Sequence, residues 1–198
     1  AFPRHLLGAV PVLFSYELSS DRDHARRLST SVLNAFLHPV MENFLFGAEE
    51  VARRHHMENP LLIFRNDGAS ARVAKTIALK TYGSGPAGGL VGASQYAKHY
   101  QAKAVVSFDI GGTTTDYAAI IDGKPAALAY GQAGGLPFSF EVGEVESIGA
   151  GGSSVLSVEG KSIKVGPRSM GAAPGPACFA RGGTEAAITD VLLLMSWN

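Results

Sequence analysis

FDIGGTTTD, residues 108–116, lies between two apolar runs, residues 104–110 and 117–121. Each run has the length and the β-branched and aromatic content of a strand, so the stretch predicts two strands meeting around a Gly-Gly-Thr turn. Every part of that turn has a use in holding phosphate. Gly111 and Gly112 let backbone N–H groups approach an oxyanion with no Cβ in the way, and the hydroxyls of Thr113, Thr114 and Thr115 add donors. The carboxylates of Asp109 and Asp116 would repel a phosphate, but they suit a divalent cation held through water, or the orientation of an attacking water. The plainer reading is a tight hairpin whose glycines supply positive φ and whose threonines merely favour a strand. Asp109 weighs against it, because an apolar strand ending in a carboxylate near a second one costs stability unless a cation or hydrogen bonds compensate.

Upstream, residues 84–93 read SGPAGGLVGA. Pro86 suits the first turn of a helix, with Leu90, Val91, Ala93, Tyr96 and Ala97 as its apolar stripe. The small residues Gly85, Ala87, Gly88 and Gly89 would permit close helix approach or form a glycine-rich loop. Residues 61–64 predict a strand ending in the Asn66-Asp67-Gly68 turn, and residues 73–79 a weaker strand. Earlier still, Ser19, Ser20 and Asp21 offer N-caps to a pattern in which Leu28, Val32, Leu33 and Phe36, then Val40, Phe44, Ala48 and Val51, recur at helical spacing. Pro39 is expected to divide or kink it, giving about two helices. Residues 10–15 read as a strand.

Downstream, Asp122 and Gly123 predict a turn into a strand at 126–130. Short strands follow at 138–142, 155–158 and 162–165, the last two joined by Glu159, Gly160 and Lys161, and a closing helix at 184–195. Gly149, Gly151 and Gly152 with Ser153 and Ser154 form either a second anion-friendly loop or a plain turn. The proline- and glycine-rich residues 166–183 read as an ordered loop, either a substrate or nucleotide wall with Arg181 facing an anion, or a structural cap. Helices and strands mixed in this order predict an α/β domain.

The 17 basic residues cancel the 17 acidic ones, which removes any global field that would draw the chain to nucleic acid or an anionic membrane. The one cysteine, Cys178, cannot form an internal disulfide, and no apolar run approaches the ~20 residues of a bilayer span. A cytoplasmic setting is expected. With no histidine near it in sequence, Cys178 reads as a small buried hydrophobe rather than a nucleophile. His55 and His56 are adjacent and cannot share one metal from one helix face; a solvated helix end fits them better. The chain opens on Ala1 and ends on Trp197 and Asn198, just after the apolar residues 191–195, and a fragment of a longer protein is expected.

FDIGGTTTD is similar to the phosphate-binding hairpin of actin-like ATPases. Together with SGPAGGLVGA, with IGAGGSSV at 148–155, with VGPRSMGAAPGPACFARGGTE at 165–185 and with Thr189-Asp190, it resembles the hydantoinase A and 5-oxoprolinase family, related to acetone carboxylase subunits. The resemblance implies an actin-like ATPase (ribonuclease H-like) lobe, with a mixed sheet and flanking helices. It implies one domain over residues 1–198, in which helices and strands over 1–82 lead into a glycine-rich phosphate-binding half over 83–198. It also implies ATP with Mg²⁺ or Mn²⁺, coupled to the opening of a cyclic amide such as a hydantoin or 5-oxoproline, or to activation of a carbonyl compound. Asp109 and Asp116 would be catalytic, Asp109 would hold the metal, and Gly111, Gly112, Thr113, Thr114, Gly151 and Gly152 would bind the nucleotide. In the family a second phosphate hairpin belongs to an N-terminal lobe, and no second copy occurs here. An N-terminal lobe or partner subunit is therefore expected to complete the cleft, and the isolated chain is expected to be inactive. Ser153 stands where the family more often has glycine, Arg168 where it has an acid and Met170 where it has a small residue. Those departures leave open a non-catalytic nucleotide-sensing or assembly module built on the same lobe.

Overall fold

The computed structural model describes residues 13–197. In chain order the elements are α1 (Ser15–Leu18), α2 (His24–Arg54), β1 (Leu62–Phe64), β2 (Ser70–Arg72), α3 (Ser84–His99), β3 (Ala104–Ile110), β4 (Thr115–Ile121), β5 (Lys124–Pro125), β6 (Ala127–Leu128), β7 (Gly131–Ala133), β8 (Leu136–Phe138), β9 (Val142–Gly143), β10 (Glu146–Ile148), β11 (Ser154–Glu159), β12 (Ser162–Ser169) and α4 (Ile188–Ser196). The chain divides into two units, Ala1–Gly92 with Ala127–Glu144, and Ala93–Ala126 with Val145–Asn198. Residues 127–144 belong to the first unit although they follow the β3–β4 hairpin in sequence. Strand pairs among the described residues are antiparallel. No described helix is long and apolar enough to cross a membrane.

In the first unit Asp23 starts α2, its carboxylate accepting from the N–H groups of Ala25 and Arg26. One helix of 31 residues then runs through Pro39, where two helices were expected. Pro39 and Ala35 are both exposed, so water can satisfy the Ala35 carbonyl that the proline leaves without a donor. The helical periodicity found the helix but, Leu33 apart, not its inner face. Leu28, Val32, Phe36, Val40, Phe44 and Val51 are exposed, whereas Thr30, Asn34 and Leu45 are buried. Leu33 and Leu37 pack on a cluster of Leu79, Ala133, Phe138 and Phe140. The buried polar residues act as anchors: Thr30 Oγ1 accepts from Ser139 N–H at 2.9 Å, and Asn34 Oδ1 accepts from Leu79 N–H at 3.0 Å.

Four other strand expectations change, one of them the strand at 138–142, of which only Phe138, ending β8, and Val142, opening β9, lie in strands. Residues 10–12 lie outside the described residues, and Ser15 begins α1 rather than ending a strand. Residues 73–79 form two 3₁₀ turns, Val73–Lys75 and Ala78–Thr81, with Thr76 Oγ1 donating to Arg72 O. Val73, Ala78 and Leu79 are buried from these turns, so hydrophobicity alone misread the segment as a strand. The strand expected at 126–130 is only β6. α3 carries Pro86 in its first turn, and a Cβ on Gly85 would meet nothing within 4 Å, so close packing does not explain that glycine among the described residues.

In the second unit β3 and β4 pair over seven positions, from Ala104↔Ile121 to Ile110↔Thr115. β10 lies on the other side of β4, with Ile148 opposite Thr115. Asp122 (φ 50°) and Gly123 (φ 69°) turn β4 into β5, the two left-handed residues such a tight turn requires. β11 and β12 form a second hairpin. At α4, Asp190 Oδ2 accepts from Ala187 N–H at 2.8 Å and fixes the start of the helix.

Candidate functional site

The β3–β4 ladder delivers Asp109 and Asp116 to directly opposite positions. Opposite residues of an antiparallel pair share a face, so the two carboxylates are neighbours across the strands. Ser147 of β10, opposite Asp116 in the register, donates its hydroxyl proton to Asp116 Oδ1. Gly111 N–H donates to Thr114 O at 2.9 Å and closes the turn. Neither Gly111 nor Gly112 has positive φ; a Cβ on Gly111 would stand 3.1 Å from Thr114 O, a tight fit within the turn itself, whereas one on Gly112 would meet only Ser153 Oγ at 3.7 Å, so the plain hairpin accounts for Gly111 and not for Gly112. Instead, the N–H groups of Gly112, Thr113 and Thr114 have no acceptor among the described residues, and all three residues are exposed. Three successive free amides at a turn make a concavity suited to an anion. Thr115 is excluded from that set, since its buried hydroxyl donates to Ala150 O at 2.6 Å.

The second glycine loop lies under this turn. Gly152 N–H donates to Gly111 O at 2.9 Å and Ser153 N–H to Gly112 O at 2.6 Å. Gly151 N–H donates to Ser154 Oγ at 2.8 Å, and Ser154 N–H returns to Gly151 O. Thr189 of α4 completes the clamp, its N–H and hydroxyl both donating to Gly152 O, at 2.9 and 2.8 Å. Residues 151–154 thus keep no free N–H for an anion, and Gly151 and Gly152 serve the hairpin from below. A Cβ on Gly151 would stand 2.6 Å from Gly111 O and 2.8 Å from Thr113 N, closer than real contacts allow. Ser153 is buried, and its Oγ would sit 3.7 Å from a Cβ on Gly112, an ordinary contact that leaves the hairpin undisturbed.

Residues 166–183 begin as the end of β12. Met170 N–H donates to Ser153 O at 2.8 Å, and Ser169 Oγ lies 3.4 Å from Thr113 Oγ1. Arg168 donates from both terminal nitrogens to Glu185, which raises the guanidinium above its ordinary value and holds the Glu185 carboxyl below its own. Arg168 is therefore engaged rather than free for a ligand. Cys178 is exposed, not buried as expected. Its thiol donates to Asp190, which together with desolvation pushes it above its ordinary value, so it remains a protonated and poor nucleophile. Burial alone would raise Asp190, but the Cys178 thiol and the N–H groups of Cys178, Ala187 and Ala177 hold it below its usual value. His55 caps the C-terminus of α2 and His56 follows it, both exposed.

Among the described residues no group of three or more His, Cys, Asp or Glu side chains could hold a metal. Asp109 and Asp116 are only two, which fits a hydrated Mg²⁺ that takes one or two carboxylates and completes its shell with water and phosphate oxygens. Ser147 and Ser169 were missed from the sequence: they lie 31 and 56 residues from the groups they meet, and nothing local in their surroundings marks them.

Residues 27–196 match the family described as Hydantoinase/oxoprolinase. The acetophenone carboxylase gamma subunit of Aromatoleum aromaticum is 31% identical over 99% of this chain and 27% of its own length. A crystal structure of the ATP-dependent caprolactamase from Pseudomonas jessenii superposes with a TM-score of 0.71 and 28% identity, over 98% of this chain and 29% of that one. Nucleotide-free acetone carboxylase superposes with a TM-score of 0.77 at 22% identity, over 93% of this chain and 26% of that one, a likeness of fold. The chain thus spans a little over a quarter of the length of each of these proteins and has the α/β actin-like fold. This chain belongs to the hydantoinase/oxoprolinase family.

Proposed function

We propose that this chain is the ATP-binding lobe of a cytoplasmic, ATP-dependent enzyme that opens a small cyclic amide of the hydantoin or 5-oxoproline kind. The observation that carries the reading is the row of free amides at Gly112, Thr113 and Thr114 beside the Asp109–Asp116 pair. Its family supports it, as does the likeness to a caprolactamase described as ATP-dependent.

In this reading the three amides and the hydroxyls of Thr113 and Thr114 bind phosphate oxygens. Asp109 and Asp116 hold the Mg²⁺, or Mn²⁺, that accompanies the nucleotide, and Ser147 orients Asp116. Gly151 and Gly152 keep the amides aimed by bonding the turn from beneath. When bound, Mg-ATP supplies the phosphoryl group that converts the amide oxygen into part of a leaving group for water. The residues that grip the cyclic amide come from a second lobe or partner subunit, in keeping with the quarter of each relative's length that this chain spans. Calorimetric titration of Mg-ATP into the protein and its Asp109→Ala variant tests the assignment. The variant is expected to lose at least tenfold in affinity; equal binding by the two proteins rejects it.

A further inference from the structure

Ser169 ends β12, and its place is over-determined. Its Cα partner in the β11–β12 ladder is Ser154, whose neighbour Ser153 donates to Gly112 O and accepts from Met170 N–H. One backbone path, Gly112 to Ser153 to Met170, therefore ties the residue after Ser169 to the free-amide turn. The side chain makes a second tie, with its Oγ 3.4 Å from Thr113 Oγ1.

The Ser169 hydroxyl also has a defined state. Its oxygen accepts from Gly171 N–H at 3.1 Å, which leaves its proton for another acceptor. Among the described residues the side-chain oxygen within hydrogen-bond reach of it is Thr113 Oγ1, at a separation well beyond the ~2.7–2.8 Å typical of an O–H···O bond. Two half-engaged hydroxyls 3.4 Å apart, next to three free amides, can each turn a proton to the same oxyanion without breaking a good bond.

We propose that Ser169 is a phosphate-binding residue, donating beside Thr113 to the ligand held by the amides of Gly112, Thr113 and Thr114. The seat is then shared between the hairpin and the start of residues 169–183, and phosphate occupancy is felt directly by that loop. This rests on the nucleotide reading given above and adds a donor that the hairpin does not contain.

The test is calorimetric titration of Mg-ATP into the wild-type protein, Ser169→Ala, Ser169→Thr, Thr113→Ala and the Thr113→Ala/Ser169→Ala pair. Urea midpoints without ligand report any structural damage. Losing a hydrogen bond to a charged ligand is expected to weaken Ser169→Ala about tenfold with an unchanged urea midpoint, and Ser169→Thr restores most of it. The paired variant is expected to lose less than the product of the two single losses, because the hydroxyls share one ligand. If the wild-type protein binds and Ser169→Ala binds equally well, the Ser169 assignment is wrong while the nucleotide reading stands. If Ser169→Ala weakens binding only in step with a lowered urea midpoint, and threonine does not restore it, the residue is structural and the assignment falls. If the wild-type protein binds no Mg-ATP at millimolar concentration, the nucleotide reading fails and takes this proposal with it.

Discussion

Replacing Asp109 by asparagine should make the ligand-free protein more stable while weakening its grip on Mg-ATP. Asp109 and Asp116 are directly opposite across β3 and β4, which puts their Cβ atoms about 5 Å apart. Two unit charges at ~5 Å repel by roughly 0.8 kcal/mol in a water-like dielectric and roughly 3 kcal/mol at an effective dielectric of about 20. Asp109 is exposed and Asp116 partly so, which places the pair near the lower figure. Asparagine keeps the shape and removes the charge, so Asp109→Asn should gain about 1 kcal/mol, read as a rise of roughly 2–4 °C in melting temperature for a chain of this length. Asp116→Asn should gain less, because it also surrenders the charge-assisted bond from Ser147. Near 1 M salt, where the screening length falls to ~3 Å, the difference should shrink. Millimolar Mg²⁺ should stabilise the wild-type protein and leave Asp109→Asn unchanged. Melting curves in low salt, high salt and Mg²⁺ suffice. A less stable Asp109→Asn, or a gain indifferent to both salt and Mg²⁺, would refute the view that these carboxylates are a strained pair awaiting a cation.

Gly151→Ala drives a methyl into Gly111 O and Thr113 N, so it should cost ~1–3 kcal/mol in urea denaturation and abolish Mg-ATP binding by displacing the turn. Asn34→Leu removes the acceptor of Leu79 N–H inside the first unit and should cost ~1–3 kcal/mol, with Mg-ATP affinity unchanged. Asp190 is held below its ordinary value, so the stability it contributes is present above the unfolded carboxyl range near pH 4 and is lost as pH falls through the lower folded value. In Asp190→Ala that part of the acid transition should be missing from pH-dependent melting curves, and iodoacetamide should modify Cys178 faster at pH 8, since the thiol no longer has Asp190 as its acceptor.

Local patterns in the sequence were legible where the structure is local. The β3–β4 hairpin, the Asp122-Gly123 turn, the β11–β12 hairpin around Gly160 and the α3 start at Pro86 follow from apolar runs and turn residues a few positions apart. α2 shows where such reasoning stops. Its apolar ridge of Leu28, Val32, Phe36, Val40 and Phe44 faces solvent, while Thr30 and Asn34 are buried because distant backbone groups at Ser139 and Leu79 need partners. The same limit governs the site. FDIGGTTTD announced its donors and carboxylates, but the underside made by residues 151–153 and Thr189, the Ser147 support of Asp116 and the approach of Ser169 depend on pairings across 31 to 56 or more residues. Antiparallel register across such distances is set by tertiary packing, which no window of the sequence contains.

In the proposed function the turn between β3 and β4 binds nucleotide phosphate through its free amides. The most direct measurement is an amide NMR titration of the isotopically labelled protein with Mg-ATP to millimolar concentration. Saturable shifts are expected to centre on the amides of Gly112, Thr113 and Thr114, with those of Gly151 and Gly152 moving less because they are already bonded within the protein. Saturable shifts elsewhere with these three amides unmoved, or no saturable shift at all, would contradict it.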